Sequence, residues 1–221
     1  MVLQDAFLHV PIHPDNRRFL RFVWEGRHLQ FRVLCFGLST APQVFTRLMA
    51  PVSAEFHRQG FRILRYLDDW LILAASEGEA KQATAFLLNL CSDLGIRVNW
   101  EKSSLIPEQK KTFLGMVIHS SPLKVFPTQE RIHGLQDLLR SFLSCQSPPA
   151  AHWMRLLGHM SSLLHLVPGS RRRMRLLQIQ LNQQWDRRSM SEDHPVSWDA
   201  ISCRDLEWWM ETENLGQGQP L

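Results

Sequence analysis

The stretch from Phe61 to Ala75, FRILRYLDDWLILAA, sets two carboxylates side by side in a run of large apolar residues. Ile63, Leu64, Tyr66 and Leu67 precede Asp68 and Asp69, and Trp70, Leu71, Ile72 and Leu73 follow. Each half has the length and composition of a strand, so the pattern predicts strand, tight turn, strand. Aspartate suits the turn, because its side chain bonds its own backbone. A plain hairpin therefore accounts for the pair. So does a divalent-metal site at a hairpin tip, since magnesium takes hard oxygen ligands and needs only one or two carboxylates beside substrate phosphates.

The flanking chain predicts an α+β arrangement. Met1 to Ile12 is apolar and starts abruptly, as if partway through a strand, and Pro14-Asp15-Asn16 marks a turn. Residues 19–34 suggest two strands around Glu25-Gly26. After a bend at Gly37, Ser39 or Thr40 offers an N-cap and Pro42 a first helical turn. Val44, Phe45, Leu48, Met49, Val52 and Phe56 then recur at helical spacing down to Gly60. A second helix spans Glu77 to Leu94 and stops at Gly95, with Phe86, Leu87, Leu90, Cys91 and Leu94 on its apolar face. Ile96 to Trp100 and residues 113–118, FLGMVI, read as strands. Beyond Pro127 come helical stripes: Ile132, Leu135, Leu138, Leu139 and Phe142, then Trp153 to Leu164, then a helix capped by Ser170 and continued by Leu176, Leu177, Ile179 and Leu181.

Charge is uneven along a chain of net charge +4. Arg17 to Arg65 holds nine arginines and two acids, and Arg131 to Arg175 seven arginines and one acid. Such clusters fit either a solvated surface or a polyanionic partner. Arg171, Arg172, Arg173 and Arg175 sit in the first turns of a helix, where cations oppose the dipole and require an anion nearby. Four scattered cysteines with no CxxC pair argue against a disulfide framework or a zinc site and for a reducing compartment. No apolar run approaches the roughly 20 residues of a membrane span. The chain thus reads as soluble and intracellular.

YLDD, the FGLSTAPQVF segment at 36–45, QDAFLHVPI near the start and FLGMVI, in this order, resemble a reverse transcriptase, nearest to gypsy-like and tyrosine-recombinase (DIRS-type) retroelements. The resemblance implies a polymerase palm over residues 1–127 (an antiparallel sheet with packed helices), a helical thumb over 128–187, and a connection over 188–221 leading toward a ribonuclease H domain. It implies that Asp68 and Asp69 hold two Mg2+ ions. Asp5 and Ala6 would lie along a deoxynucleoside triphosphate, with Phe7 excluding a ribose 2′ hydroxyl. Phe36 and Gly37 would shape the nucleotide floor, and Lys102 would donate a proton to leaving pyrophosphate. Arg171, Arg172, Arg173 and Arg175 would contact the phosphates of an RNA or DNA template–primer duplex.

The chain also departs from the family pattern in two places. The family's first palm motif carries a catalytic aspartate three residues before the position of Asp5, and this chain has Val2 there. The fingers strands that precede the motif in the family are absent, so the chain reads as N-terminally truncated. The expectation is an impaired RNA-directed DNA polymerase fragment. A non-catalytic nucleic-acid-binding remnant and a pseudogene fragment with a bare sheet edge are the alternatives.

Overall fold

The computed structural model describes all 221 residues, which gather into two units, Met1–Pro107 and Glu108–Leu221. The first unit begins with an extended segment and two 3-10 helices, Ala6–His9 and Pro14–Leu20. The turn expected at Pro14-Asp15-Asn16 is thus the start of a longer helical segment. An antiparallel hairpin follows, β1 (Arg21–Trp24) and β2 (Arg27–Gln30), with every residue exposed. Then come α1 (Ala41–Leu48), α2 (Ala50–Arg58), the hairpin β3 (Arg62–Tyr66) and β4 (Asp69–Leu73), and α3 (Glu77–Asp93).

The single helix expected down to Gly60 is two helices, joined at Met49. Pro51 is the cause: it has no N–H to donate, and its ring crowds the carbonyl four residues back. Phe45, Met49, Val52 and Phe56 are buried as expected, whereas Val44 and Leu48 face solvent. Thr40 is the N-cap of α1 by position, but its side chain makes no capping bond. The start of α3 is secured by its side chains. Ser76 Oγ accepts from the Glu79 N–H at 3.2 Å, and Glu79 Oε2 accepts from the Ala75 N–H at 2.8 Å. Ala83, Leu87 and Cys91 of this helix are buried, while Leu94, expected on its apolar face, is exposed. Residues 96–100 form no strand run. They pair with the N-terminal segment through one bridge, Leu3↔Val98, flanked by Gln4 N–H to Arg97 O and Asn99 N–H to Val2 O, both at 2.9 Å.

In the second unit, β5 (Lys110–Phe113), β6 (Met116–His119) and β7 (Lys124–Pro127) form an antiparallel meander. The strand expected over 113–118 is folded in two at Leu114-Gly115. Both residues have positive φ, 49° and 73°, the sign pattern of a two-residue I′ hairpin turn. Helices α4 (Gln129–Leu143), α5 (Ala150–Leu163), α6 (Ser170–Gln184), α7 (Ala200–Met210) and α8 (Thr212–Leu215) follow. Their core includes Leu135, Phe142, Trp153, Met160, Leu177, Leu206 and Trp209. The N-cap of α6 is Gly169, at φ 77°, rather than Ser170. Ser170 lies inside the helix, buried, with its hydroxyl toward the Leu164 carbonyl at 3.5 Å. Leu176 and Ile179, assigned to the apolar stripe of α6, are exposed.

The two compact units divide at Pro107, and β6 and β7 pack Met116, Ile118 and Val125 against the core of the helices that follow them. Within residues 188–221, α7 buries Leu206 and Trp209 in the helical core. The last residues form β8 (Gln219–Pro220), a fourth strand against β7, with Leu221 N–H donating to Leu123 O at 2.9 Å. Gly218, at φ 69°, makes this possible, since a Cβ there would meet the Phe126 ring at 2.3 Å. Gly218→Ala is therefore expected to cost about 1–3 kcal/mol and to release β8. Faster amide exchange at Leu221, with a lowered Tm, reports it.

Candidate nucleotide and nucleic-acid site

β3 and β4 pair in register from Arg62↔Leu73 to Tyr66↔Asp69, so Leu67 and Asp68 form the two-residue turn between them. Leu67 carries a φ of 51°. A turn selected only for turning takes glycine or asparagine there, and a branched residue costs roughly 1–2 kcal/mol. The strain is held from beneath. Trp70 is buried, and its indole Nε1–H donates to the Leu67 carbonyl at 2.9 Å. A strained tip locked by a buried tryptophan fixes the direction of the two carboxylates, which a plain hairpin has no need to do.

The N-terminal segment lies against this turn. Leu3 N–H donates to Asp68 O at 2.9 Å, Trp70 N–H donates to Met1 O at 2.8 Å, and Val2 bridges Asp69. On its other side, Val2 N–H donates to Ser103 Oγ at 2.9 Å, and Val2 O accepts from Asn99 N–H. Met1 to Leu3 is thus clamped between the carboxylate turn and residues 98–103.

A cleft of about 290 Å³ opens beside this clamp. Five of the six residues expected to contact a nucleotide, Asp5, Ala6, Phe7, Phe36 and Lys102, line it, together with Asp68 of the expected metal pair. Asp5 adopts the left-handed conformation that aspartate tolerates, and its carbonyl accepts from Leu8 N–H at 2.8 Å. That turns the chain into the Ala6–His9 helix and sets Phe7 over the cleft. Phe7 is braced edge-on by the buried Phe45 at 5.6 Å between centroids and leans on Phe36 at 5.4 Å. Phe36 itself is 70% exposed, an aromatic face presented to solvent. Gly37 follows it at φ 88° and turns the chain toward α1 without lining the cleft. Sequence reasoning missed Asn99 and Ser103. The signal was present in Asn99-Trp100-Glu101-Lys102, an Asn three residues before a Lys, as in a side-chain-closed turn.

Burial pushes the Asp69 carboxyl above its ordinary value, and the neighbouring Asp68 charge pushes it further, against a smaller opposing pull from the N-terminal ammonium. A carboxyl whose folded pKa is raised contributes stability below its unfolded pKa and loses it as pH rises through the folded value. Asp69→Asn is accordingly expected to raise Tm at pH 7, with the advantage over the parent vanishing as pH falls below about 4. Thermal melts at the two pH values check this. No group of three or more His, Cys, Asp or Glu side chains is arranged to hold a metal ion. The donor set that does exist is two adjacent hard carboxylates, one of which resists ionisation through burial and its neighbour's charge, and such oxygens suit a hard divalent cation.

The four arginines of α6 do not act alike. Arg171, Arg172 and Arg175 are exposed. Arg173 donates to Asp205 Oδ1 at 2.7 Å and lies over the Trp208 ring at 5.5 Å. The anion demanded by the cationic helix start is therefore partly internal, and Arg173 is committed to the fold of its own unit. No helix is long and apolar enough to cross a membrane.

Residues 1–118, more than half the chain, match the family described as reverse transcriptase (RNA-dependent DNA polymerase). The chain is 32% identical over 130 residues to the Gag-Pol polyprotein of avian reticuloendotheliosis virus, a match covering 53% of this chain and 11% of that one. It is 32% identical over 115 residues to the genome polyprotein of Petunia vein clearing virus (isolate Shepherd), covering 52% and 5%. The foamy viral protease-reverse transcriptase dRH in complex with double-stranded DNA superposes with a TM-score of 0.80 at 20% identity, over 100% of this chain and 35% of that one. The foamy viral protease-reverse transcriptase in complex with an RNA/DNA hybrid gives 0.75 at 20% identity, over 100% and 27%. The chain thus spans a small part of the polyproteins it matches, and the structural likeness is one of fold: antiparallel sheets with packed helices.

Proposed function

The chain belongs to the reverse transcriptase (RNA-dependent DNA polymerase) family, and from that premise we propose that its first unit is a polymerase palm whose cleft takes a deoxynucleoside triphosphate beside Asp68 and Asp69. The observation that carries this reading is the convergence of Asp5, Ala6, Phe7, Phe36, Asp68 and Lys102 on one cleft at the strained carboxylate turn. Helices α4 to α6 act as the thumb, and Arg171, Arg172 and Arg175 meet the phosphates of a template–primer duplex. Duplexes of both kinds sit in the foamy viral structures, which supports the duplex as the partner. The finer placement among gypsy-like and DIRS-type elements rests on the phrasing of the four motifs, YLDD, FGLSTAPQVF, QDAFLHVPI and FLGMVI.

In the reaction of the family, bound Mg2+ lowers the cost of the negative charge that develops on attacking and leaving oxygens. The side chains here have separate tasks. Asp68 and Asp69 hold the cations, Lys102 presents its ammonium to the leaving pyrophosphate, and Phe7, backed by Phe45 and Phe36, fills the space that a 2′ hydroxyl requires. Val2 offers no side-chain oxygen where a third carboxylate is expected, so the chemical step is impaired while nucleotide and duplex binding persist.

Primer extension with Mg2+ on an RNA template tests this. Synthesis near background is the expected outcome, and robust extension abolished by Asp68→Asn or Asp69→Asn overturns the assignment to Val2. Duplex binding should be salt-sensitive, because neutralising phosphates releases counterions. Arg171→Ala with Arg172→Ala should flatten the salt dependence by about one unit of slope for each phosphate left without its arginine.

A further inference from the structure

Asn99 lies in the wall of the cleft together with Lys102, Asp5 and Asp68. Its two ends have different duties. The Lys102 backbone N–H donates to the Asn99 side chain at 3.0 Å. Only the amide oxygen can accept that bond, so the orientation of the carboxamide is settled: Oδ1 closes the Asn99–Lys102 turn, and the Nδ2 donors are directed away from it. The backbone is pinned as well, with Asn99 N–H donating to Val2 O at 2.9 Å. Four residues on from Asn99, Ser103 Oγ accepts from Val2 N–H at 2.9 Å and faces Val2 O at 3.4 Å. The loop that carries Lys102 is therefore tied at both ends to the residue that bridges Asp69.

Resting on the nucleotide reading of the cleft, we infer that Asn99 is a ligand-binding residue of this site. Its Oδ1 holds the turn that presents the Lys102 ammonium, and its Nδ2 donates to a phosphate oxygen of the bound triphosphate. A neutral donor beside a cation suits a polyphosphate, since it adds directionality to a charge that lysine supplies as a point. The turn and the donor are separable by substitution. Asp at 99 retains an oxygen to accept the Lys102 N–H, but replaces the donor with a negative charge. Ala at 99 loses both.

Calorimetric titration with dATP and with dAMP, in Mg2+, distinguishes the cases. The expected result is measurable dATP binding by the parent chain, weakened about tenfold or more in Asn99→Asp and less in Asn99→Ala, with dAMP affinity changing far less. Thermal melts of Asn99→Asp should match the parent, because the turn survives. If Asn99→Asp binds dATP as well as the parent, or better than Asn99→Ala, Asn99 only shapes the turn and the inference fails while the nucleotide reading stands. If the parent binds no dATP, the nucleotide reading fails and takes the inference with it.

Discussion

Arg173→Ala is expected to destabilise the second unit by about 3 kcal/mol, a larger effect than any other arginine substitution on α6. The reason is its partner. Asp205 is 2% exposed in the ion pair, whereas the Arg173 side chain is 40% exposed. One Asp205 oxygen accepts from Arg173, and the other is buried without a hydrogen-bond partner. Removing the guanidinium strands a buried carboxylate with neither oxygen satisfied, which costs more than the pair gains by forming. The stacking on Trp208 disappears in the same step. Arg173→Lys should recover only part, because an ammonium neither stacks nor presents a planar fork. The double substitution Arg173→Leu with Asp205→Leu should be milder than Arg173→Ala alone, since it removes the stranded charge. Chemical denaturation of the three variants beside Arg171→Ala and Arg172→Ala, each expected within about 0.5 kcal/mol of the parent, checks the ordering. Equal stability of Arg173→Ala and Arg171→Ala would mean that the pair with Asp205 contributes nothing.

That contrast marks where sequence reasoning runs out. Four arginines in the first turns of one helix look equivalent in a string, and the dipole argument correctly demands an anion. It cannot say that the anion is Asp205, 32 residues beyond Arg173, because that pairing depends on how α7 returns against α6. The same limit explains the C-terminal residues. A Gly-Gln-Gly-Gln-Pro tract carries the composition of a linker, yet β8 forms because the open edge of β7 offers backbone partners and Gly218 clears the Phe126 ring. Local chemistry was more legible. The Asp68-Asp69 hairpin and the end of α3 at Gly95 follow from periodicity and turn residues alone. The residues assigned to the cleft came from the order of the motifs, and six of them do converge. What periodicity could not give is the positive φ at Leu67, which no propensity favours, and which Trp70 enforces from the core.

Val2→Asp is expected to make the stability of the first unit depend on divalent cations. Val2 and Asp69 are bridged antiparallel partners, so their side chains leave the same face with Cβ atoms about 5 Å apart. The backbone at residue 2 is held on both sides, by Asp69 across the bridge and by Asn99 and Ser103 opposite, so a carboxylate introduced there has little freedom to swing away. Without metal it adds a third negative charge beside Asp69, whose ionisation is already opposed by burial and by Asp68. The cost is about 1–2 kcal/mol near neutral pH, and it should shrink as pH falls below the carboxylate range and the three groups take up protons. Magnesium reverses the sign. A cation bound only by the folded chain stabilises it by about 2.7 kcal/mol at one hundred times its dissociation constant, so the Mg2+-induced rise in Tm should be several degrees larger for Val2→Asp than for the parent. Val2→Asn, similar in size to Asp but uncharged, separates charge from shape: it should show neither the destabilisation without metal nor the enhanced response with it. An identical Mg2+ response in Val2→Asp and the parent would show that residue 2 does not face the site of Asp68 and Asp69, and would remove the physical basis for attributing impaired synthesis to the valine.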